Sequence, residues 1–336
     1  MNFGARLSHV LRLDDSSQVG HARRTAQKLA EEHGFDEGDA GRVALVATEL
    51  ASNVLKHAGR GELHLRVLPR PTGFAIELLA VDRAQGFDLQ ACLTDGYSSR
   101  GTQGIGLGAI ARQAQVFDVH ADEKGAVVLA RFHTREDKAP DLRVGISQHS
   151  LHDDPACGDT WHLAIRDGEL SALVVDGLGH GIEAERAAKA GAAVFAASAF
   201  DDPVSLLADM HHAMGATRGA AVAIAQYDRR QDTLGFAGVG NIGACLVDHE
   251  RSRGLASHPG IVGGQYRKAQ VFDYAQVSGS VLVMYSDGLQ SRWKIQDYPG
   301  LASRHPAVIA TVLHRDFCRG RDDVTVLVIH LEPFHD

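Results

Sequence analysis

The chain has 336 residues, of which 44% are apolar and 23% are charged, and it contains no biased tract. This length exceeds what one ordinary hydrophobic core supports, so we expect two domains. The formal net charge of −8 is spread along the chain, which argues against nucleic acid as a partner.

The sequence predicts a cytoplasmic protein without a membrane partner. The four cysteines are too far apart for a zinc site or a disulfide framework, as expected in a reducing compartment. The N-terminus lacks the long apolar core of a signal peptide. The longest stretch of small apolar residues, 187–200, contains Lys189 and is shorter than the roughly 20 residues that a membrane-spanning helix needs.

The N-terminal part predicts helices followed by strands. A helix capped by Ser16 or Ser17 should run to about Glu32, and apolar residues at helical spacing predict a second helix at 36–58. Strands are expected at 62–68, 73–81, 117–121 and 126–132. The glycine-rich stretch 101–108 should open a helix. Helices with one mostly antiparallel sheet indicate an α+β sandwich.

The segment 134–143 is charged, contains a proline and lacks apolar periodicity, so it indicates a linker. We therefore expect a domain at 1–135, a linker at 136–143 and a second domain at 144–336. The second domain should contain the hairpins 160–166 with 169–175 and 220–227 with 233–240. It should also contain helices at 182–200, 203–215 and 305–315, and late strands at 280–285 and 324–330.

Two aspartates should face each other in the first of these hairpins. The Asp-Gly pair at 167–168 predicts a two-residue turn. In that register Arg166 pairs with Glu169, and Asp159 lies opposite Asp176. Directly opposed residues on antiparallel strands lie about 4.5–5.5 Å apart. Two like charges at that distance are destabilising, and a divalent cation would neutralise them.

Two further aspartates should join this pair. Asp287 ends one apolar strand and Asp322 begins another, so both would emerge at the same edge if those strands are antiparallel neighbours. With the carbonyl of Gly177, four carboxylates form an all-oxygen site that suits magnesium or manganese. Paired ions about 3.5–4 Å apart activate water for attack on a phosphoryl group. A lone Asp-Gly pair usually marks only a turn, whereas four aspartates that each lie at one end of an apolar strand favour an ion site.

The predicted helix 36–58 places Glu49 and Asn53 on one face, four residues apart. This pair would serve as a general base and a magnesium ligand, and a solvated polar pair is the alternative. Asp82, at the end of a strand, would accept a hydrogen bond from an adenine amino group. Three glycines precede the next helix, where backbone N–H groups bind phosphates: Gly104, Gly106 and Gly108. They do not follow a strand in a βαβ unit, which excludes a dinucleotide site.

Four segments of the C-terminal part resemble the metal motifs of type-2C-like protein phosphatases, in particular of the bacterial SpoIIE/RsbX branch. They are CGD at 157–159, DGLGHG at 176–181, SDG at 286–288 and RDDVT at 321–325, and GVGN at 238–241 also resembles that branch. The resemblance covers about 144–331 and implies an αββα sandwich with two Mn²⁺ or Mg²⁺ ions at one edge. The implied ligands are Asp159, Asp176, Asp287, Asp322 and the Gly177 carbonyl.

The segments TELASNVLKHA, DRAQG and TQGIGLGA resemble the N box and the two glycine boxes of the GHKL ATPase superfamily, especially anti-sigma-factor serine kinases of the RsbT/RsbW kind. The resemblance covers about 11–132 and implies a GHKL/Bergerat-type α/β sandwich that binds ATP with Mg²⁺. It implies Glu49 as general base, Asn53 on magnesium and Asp82 on adenine. The implied glycines of the ATP site are Gly86, Gly104, Gly106 and Gly108. Ala84 replaces the middle glycine of the first glycine box.

Together the resemblances imply a metal-dependent protein serine/threonine phosphatase fused to an ATP-binding serine kinase-like domain. The implied partner is a STAS-domain antagonist, a stressosome scaffold protein or a sigma-factor regulator of a bacterial partner-switching pathway. Two alternatives remain open. The N-terminal domain would be a nucleotide-gated docking module without turnover, which Ala84 favours and Glu49 and Asn53 disfavour. The whole chain would be a scaffold with an inactive metal site, which the presence of all four aspartates disfavours.

Overall fold

The structure is a computed structural model that describes residues 2–4, 7–86, 106–134, 136–166, 168–248 and 251–331. The chain forms two compact units. The N-terminal unit is Ser8–Asp141, and the C-terminal unit combines Met1–Leu7 with Leu142–Asp336. The first strand, β1 (Asn2–Gly4), therefore belongs to the C-terminal unit. Both units combine helices with antiparallel sheets, which confirms the predicted fold class.

The N-terminal unit contains a five-stranded antiparallel sheet covered on one face by helices. The strand order is β2-β3-β4-β6-β5, with β2 at His9–Leu13, β3 at Gly61–Arg70, β4 at Gly73–Asp82, β5 at Val116–Asp122 and β6 at Gly125–His133. The helices are α1 (Ser17–Glu32), α2 (Glu37–His57) and α3 (Leu107–Gln113). Their apolar faces share one core with the sheet, which includes Val43, Leu50, Val54, Leu63, Leu65, Ile76, Leu78 and Phe132.

Helix α2 carries strong terminal signals. The carboxylate of Asp36 accepts the backbone N–H of Asp39 at 2.6 Å, which satisfies one of the free donors at the helix start. Acidic residues occupy its first turn and basic residues its last turn, in the arrangement that the helix dipole favours. These contacts fix the helix that presents Glu49 and Asn53.

The sheet face opposite the helices carries a row of buried charges. Arg66, Glu77 and Arg131 stand on the three neighbouring strands β3, β4 and β6 in direct register. Glu77 pairs with Arg66 at 3.3 Å and with Arg131 at 2.6 Å, and Arg131 also pairs with Asp141 at 2.8 Å. Each buried charge has a partner, as burial requires.

The segment predicted as a linker is partly folded onto this sheet. Asp137 is buried and forms an ion pair with Arg70, which lies at the end of β3. The Arg70 guanidinium lowers the pKa of the Asp137 carboxyl. With the Arg131–Asp141 pair, this contact ties residues up to Asp141 to the N-terminal unit. The observed division thus differs from the predicted linker at 136–143.

The C-terminal unit contains two antiparallel sheets. The first has the order β1-β8-β9-β10-β11-β14 and the second has the order β13-β12-β15-β16-β7. The strands are β7 (Val144–His149), β8 (Asp159–Arg166), β9 (Glu169–Gly177), β10 (Ala220–Asp228), β11 (Thr233–Val239), β12 (Gly243–Val247), β13 (Ser252–Gly254), β14 (Phe272–Ala275), β15 (Val281–Tyr285) and β16 (Val324–His330).

Three helices complete the C-terminal unit. Helices α4 (Ile182–Ser198) and α5 (Pro203–Ala213) pack on the first sheet, and α6 (Pro306–Phe317) packs on β7 and β16 of the second. Contacts between β8 and β16 join the two sheets. This arrangement is the αββα sandwich that the resemblance implies. No helix among the described residues is both long enough and apolar enough to cross a membrane.

Strand β1 lies far from the rest of its unit in sequence but is held in the first sheet. It pairs with β8, with Asn2 opposite Ala164. The Asn2 side-chain amide also donates to the carbonyl of Ala196 in α4, at 2.8 Å. Residues 2–4 therefore lie outside the unit to which the predicted boundary at 1–135 assigned them.

Replacing Asp137 with asparagine should destabilise the N-terminal unit, because Arg70 would keep only its more distant ion pair with Asp141, at 3.9 Å. We expect the free energy of unfolding to fall by about 1–3 kcal/mol. Both tryptophans, Trp161 and Trp293, lie in the C-terminal unit, so fluorescence would not report this change. Native-state hydrogen exchange of peptides from β3 and β4 measures it.

The matched control is Glu32→Gln, because Glu32 forms an exposed ion pair with Lys28 in the same unit. Exposed pairs contribute little to stability, so exchange should stay close to wild type. Equal protection of β3 and β4 in Asp137→Asn and Glu32→Gln would contradict the importance of the buried pair.

Candidate functional site

Asp159 and Asp176 face each other at the edge of the first sheet. Asp159 begins β8, Asp176 lies near the end of β9, and the two are direct register partners. The same register pairs Arg166 with Glu169, which confirms the predicted hairpin. Gly168 has the positive φ of +82° that suits its turn, and Asp167 lies outside the described residues.

The second sheet brings Asp287 and Asp322 to the same place. Strands β15 and β16 are antiparallel neighbours, as predicted, and the N–H of Ser286 donates to the carbonyl of Thr325 at 3.0 Å. Burial, followed by the charges of Asp287 and Asp322, raises the pKa of Asp176 to about 7, although a backbone hydrogen bond from Asp287 lowers it. The structure thus gathers all four predicted aspartates.

Asp159 is the most enclosed member of the cluster, with 3% of its surface exposed. Burial, followed by the charge of Asp176, raises the pKa of the Asp159 carboxyl well above its usual range. The hydroxyl of Ser286 donates to Asp159 Oδ2 at 2.6 Å and accepts the N–H of Thr325 at 2.9 Å. Ser286 therefore fixes the orientation of the Asp159 carboxylate.

Two amide side chains support the cluster. Asn241, in the segment before β12, donates from Nδ2 to Asp287 Oδ2 at 2.7 Å. Gln148 donates from Nε2 to the backbone carbonyl of Asp159 at 2.8 Å. These contacts hold Asp287 and the start of β8 from neighbouring elements.

Asp323 differs from its neighbour Asp322. It is buried, and its two carboxylate oxygens accept the backbone N–H groups of Leu151 at 2.6 Å and Gly158 at 2.5 Å. Asp323 therefore anchors the segment that leads into Asp159, whereas Asp322 is only partly buried at the site. Burial, and the nearby charges of Asp287 and Asp323, raise the pKa of Asp322.

The chemistry of this donor set fits a hard divalent cation. Carboxylates held together at a partly buried edge repel one another, and their raised pKa values record that cost. Oxygen donors of this kind are those that magnesium and manganese prefer. Within the described part of the chain, no group of three or more His, Cys, Asp or Glu side chains is arranged closely enough to hold a metal ion. The four aspartates lie at one edge of the two sheets, but their side chains do not surround a common position.

Cys157 lies beside the cluster but does not offer a thiolate. Burial, together with the charges of Asp159 and Asp323, strongly raises the pKa of its thiol. A protonated thiol is neither a good nucleophile nor a metal ligand. The site is therefore a carboxylate site.

Glu49 and Asn53 are both half-buried on α2 in the N-terminal unit. Burial raises the pKa of Glu49, against the opposing charge of Lys56. Near its start, α2 is tied to the end of α3 by a hydrogen bond from Arg42 Nη1 to the carbonyl of Gln113 at 3.2 Å. The pair therefore lies on a helix that contacts α3.

Asp82 and Gly86 have clear roles in the backbone around them. Asp82 Oδ1 accepts the N–H groups of Ala84 at 3.0 Å and Ala126 at 3.3 Å. The N–H of Gly86 donates to the carbonyl of Asp122 at 2.8 Å, and a β-carbon at Gly86 would lie 2.3 Å from that oxygen. Both residues shape the segment after β4, and their roles toward ATP stay predictions.

The predicted phosphate-binding glycines are only partly described. Gly106 is the N-cap of α3 and Gly108 lies in its first turn. Gly104 falls in 87–105, outside the described residues. Since α3 packs against α2, the structure places Gly106 and Gly108 on an element that adjoins the Glu49 helix.

Comparisons with known proteins match both units. Residues 13–132 match the family described as histidine kinase-like ATPase domain, and residues 166–332 match the family described as stage II sporulation protein E (SpoIIE). The chain joins a histidine kinase-like ATPase domain to a SpoIIE-type serine/threonine phosphatase domain. This confirms the two resemblances seen in the sequence.

Two relatives come from Bacillus subtilis (strain 168). The serine/threonine-protein kinase RsbT is 28% identical over 101 residues, which are 30% of this chain and 76% of RsbT. The phosphoserine phosphatase RsbX is 29% identical over 137 residues, which are 40% of this chain and 67% of RsbX. The chain is thus similar to a kinase and to a phosphatase in separate parts.

Solved structures agree with the fold of the SpoIIE-type domain. One, from work described as "The bacterial stressosome: a modular system that has been adapted to control secondary messenger signaling", has 29% identity and a TM-score of 0.52, over 56% of this chain and 99% of that one. RsbX in complex with magnesium has 22% identity and a TM-score of 0.50, over 63% of this chain and 98% of that one.

Four residues that support the aspartates were not predicted from the sequence: Gln148, Asn241, Ser286 and Asp323. Ser286 and Asp323 directly neighbour predicted ligands, so a search for polar residues beside the strand-end aspartates finds these two. Asn241 is not beside an aspartate, and its only signal is that it ends the GVGN segment. Gln148 gave no such signal, because it lies in a strand that the pattern did not predict.

Replacing Asp176 with asparagine should remove like-charge repulsion and also remove cation binding. The pKa of Asp176 is about 7 in the fold, against about 3.9 for an unfolded aspartate. Metal-free wild-type protein should therefore lose stability as pH rises from about 4 to about 7, and Asp176→Asn should show a smaller loss, because the raised pKa values of Asp159 and Asp322 remain. Thermal unfolding across that pH range measures both.

Added Mn²⁺ should make wild type more stable than Asp176→Asn, which is the reverse of their order without metal. An ion at 100 times its Kd would stabilise wild type by about 2.7 kcal/mol and leave Asp176→Asn unchanged. Asp323→Asn is the contrasting variant, because it weakens the acceptors for Leu151 and Gly158 and should destabilise even the metal-free protein. A Mn²⁺-dependent increase in Tm of equal size in Asp176→Asn would exclude Asp176 as a ligand.

Proposed function

We propose that the chain hydrolyses phosphoserine or phosphothreonine on a STAS-domain protein, with two Mn²⁺ or Mg²⁺ ions held by its carboxylate cluster. The proposed ligands are Asp159, Asp176, Asp287, Asp322 and the carbonyl of Gly177. The observation that carries the proposal is the direct opposition of Asp159 and Asp176 next to the charges of Asp287 and Asp322.

The chain's own residues would bind the divalent ions and orient the carboxylates that hold them. Bound divalent ions supply an activated water and neutralise charge on a phosphoryl group. Ser286 and Asn241 hold the carboxylates of Asp159 and Asp287 in fixed orientations, as residues behind metal ligands commonly do. Asp323 keeps the start of β8 in place through backbone hydrogen bonds.

The similarities to RsbT and RsbX support the class of partner. One matched structure comes from work on the bacterial stressosome. We therefore place the chain in partner-switching or stressosome signalling, with a STAS-domain antagonist, a stressosome scaffold protein or a sigma-factor regulator as partner. Cys157, Cys245 and Cys318 are free thiols, which fits the cytoplasmic location that this role requires.

Phosphate release from a serine-phosphorylated STAS protein tests the phosphatase proposal. Wild-type chain with Mn²⁺ should release phosphate, and Asp176→Asn and Asp287→Asn should release none. Ser286→Ala should retain the site but lose activity by about 10–100-fold, because the Asp159 carboxylate loses its fixed orientation.

The control is Asp201→Asn, an exposed residue just beyond the far end of α4, roughly 25 Å along the helix axis from the site. Asp201→Asn should release phosphate at the wild-type rate. Undiminished phosphate release by Asp176→Asn and Asp287→Asn would refute the proposed site.

For the N-terminal domain we propose ATP–Mg²⁺ binding and phosphoryl transfer to a serine of the same or a sibling STAS protein. Glu49 would act as general base and Asn53 as magnesium ligand. The raised pKa of the half-buried Glu49 supports this role, since a base works best when its pKa approaches the working pH. The other proposed contacts are Asp82 with adenine, and Gly86, Gly104, Gly106 and Gly108 in the ATP site.

The second candidate for this domain is a nucleotide-gated docking module without turnover. Its specific support is Ala84, which stands where a glycine would otherwise give the backbone more freedom. The N–H of Ala84 is bound to the Asp82 carboxylate. Nucleotide would then change the affinity for the partner without phosphoryl transfer.

Transfer of label from γ-labelled ATP to a STAS protein separates the two candidates. We expect transfer by wild type and a loss of about 10²–10⁴-fold in Glu49→Gln, the usual contribution of a general base. ATP binding, measured by calorimetry, should remain in that variant. Glu32→Gln, at the exposed end of α1, is the control. Nucleotide-dependent partner binding without any transfer by wild type would favour the docking module.

A further inference from the structure

Two of the exposed large apolar side chains lie next to the carboxylate cluster. Among the described residues, four such side chains are exposed: Leu7, Leu45, Leu178 and Ile182. Leu178 is 40% exposed and lies on the short loop between β9 and α4, and Ile182, the first residue of α4, is 69% exposed. Single exposed apolar residues are ordinary, whereas two such side chains stand in the segment 177–182, which directly follows Asp176.

The backbone holds this loop in place. The N–H of Leu178 donates to the carbonyl of Gly219 at 3.0 Å. A β-carbon at Gly177 would lie 2.3 Å from the carbonyl oxygen of Ala184, so the loop is packed closely against the first turn of α4. The backbone that carries Leu178 is therefore held both by Gly219 and by the first turn of α4, while the side chains of Leu178 and Ile182 are exposed to solvent.

Arg218 adds a positive charge to the same loop. Its Nη1 lies 3.2 Å from the position that a β-carbon at Gly179 would take. The turn that carries it is fixed by Thr217, whose hydroxyl donates to the carbonyl of Met214 at 2.7 Å and accepts the N–H of Gly219 at 3.0 Å. Arg218 is exposed and forms no ion pair with any described residue.

We infer that Leu178, Ile182 and Arg218, here called the site rim, dock the phosphorylated segment of the substrate protein. This inference rests on the proposed phosphatase function and adds a substrate preference to it. The rim suits a phosphoserine or phosphothreonine with apolar side chains next to it. A cluster of carboxylates alone repels a phosphorylated protein, and an arginine without an internal partner supplies the complementary charge.

Phosphoserine peptides that differ only in the residues flanking the phosphoserine test the inference. One peptide carries leucine on both sides and the other carries glycine. With Mn²⁺, wild-type chain should hydrolyse the leucine peptide with a kcat/KM about tenfold higher, since apolar contacts in a docked segment contribute on that scale. Leu178→Ser/Ile182→Ser should lose this preference while keeping its activity on the glycine peptide.

Arg218→Ala should raise KM for both peptides by about tenfold with little change in kcat, and Arg218→Lys should recover part of the loss. In the site-rim variants, the Mn²⁺-dependent increase in Tm should stay at its wild-type size. This result would show that the variants weaken substrate docking and do not damage the ion site. Leu45→Ser is the matched control, because Leu45 is 41% exposed in the other unit.

Four results would overturn the inference. The first is equal hydrolysis of both peptides by wild type. The second and third concern the double variant: an unchanged preference for the leucine peptide, or an equal loss of activity on both peptides. The fourth is self-association of wild type, measured by sedimentation, that the double variant abolishes while its KM stays unchanged. Hydrolysis of neither peptide by wild type would instead refute the proposed phosphatase function on which the inference depends.

Discussion

The C-terminal unit is organised around the repulsion between carboxylates held at one edge of its two sheets. Register places Asp159 opposite Asp176, and the pairing of β15 with β16 adds Asp287 and Asp322. A fold gains nothing in stability from such an arrangement, because burial and like charges both penalise the ionised forms. The surrounding hydrogen bonds, from Ser286 above all, hold the carboxylates where the chemistry needs them.

Much of the fold could be predicted because its long elements carry periodic patterns. The turn at 167–168 set the register of one hairpin, and through it the opposition of two aspartates. Several short strands were not predicted: β2, β7 and β12 to β14, which have three to six residues and no clear alternation of apolar and polar residues. Their conformation depends on pairing with neighbouring strands. The roles of Ser286 and Asn241 depend on contacts between distant segments, which composition does not encode.

The segment 136–141 shows how a local pattern misleads. Its charges and proline indicate a solvated connection, yet Asp137 and Asp141 pair with arginines on β3 and β6. Those arginines lie in strands whose pattern predicts burial, and a buried arginine needs an acidic partner. The aspartates of the apparent linker are those partners. Complementary charges that lie far apart in the sequence are the signal from which such ion pairs can be predicted.

The position of β1 has a practical consequence. The chain contributes to the first sheet of the phosphatase unit, leaves to form the whole ATPase unit, and then returns at Leu142. A truncated protein that starts at residue 144 would lack β1 and leave the β8 edge, which adjoins Asp159, with unpaired backbone groups. Such edges recruit other strands and promote aggregation. Poor behaviour of an isolated phosphatase fragment would then reflect a missing border strand, and a short N-terminal peptide supplied in trans would be the remedy.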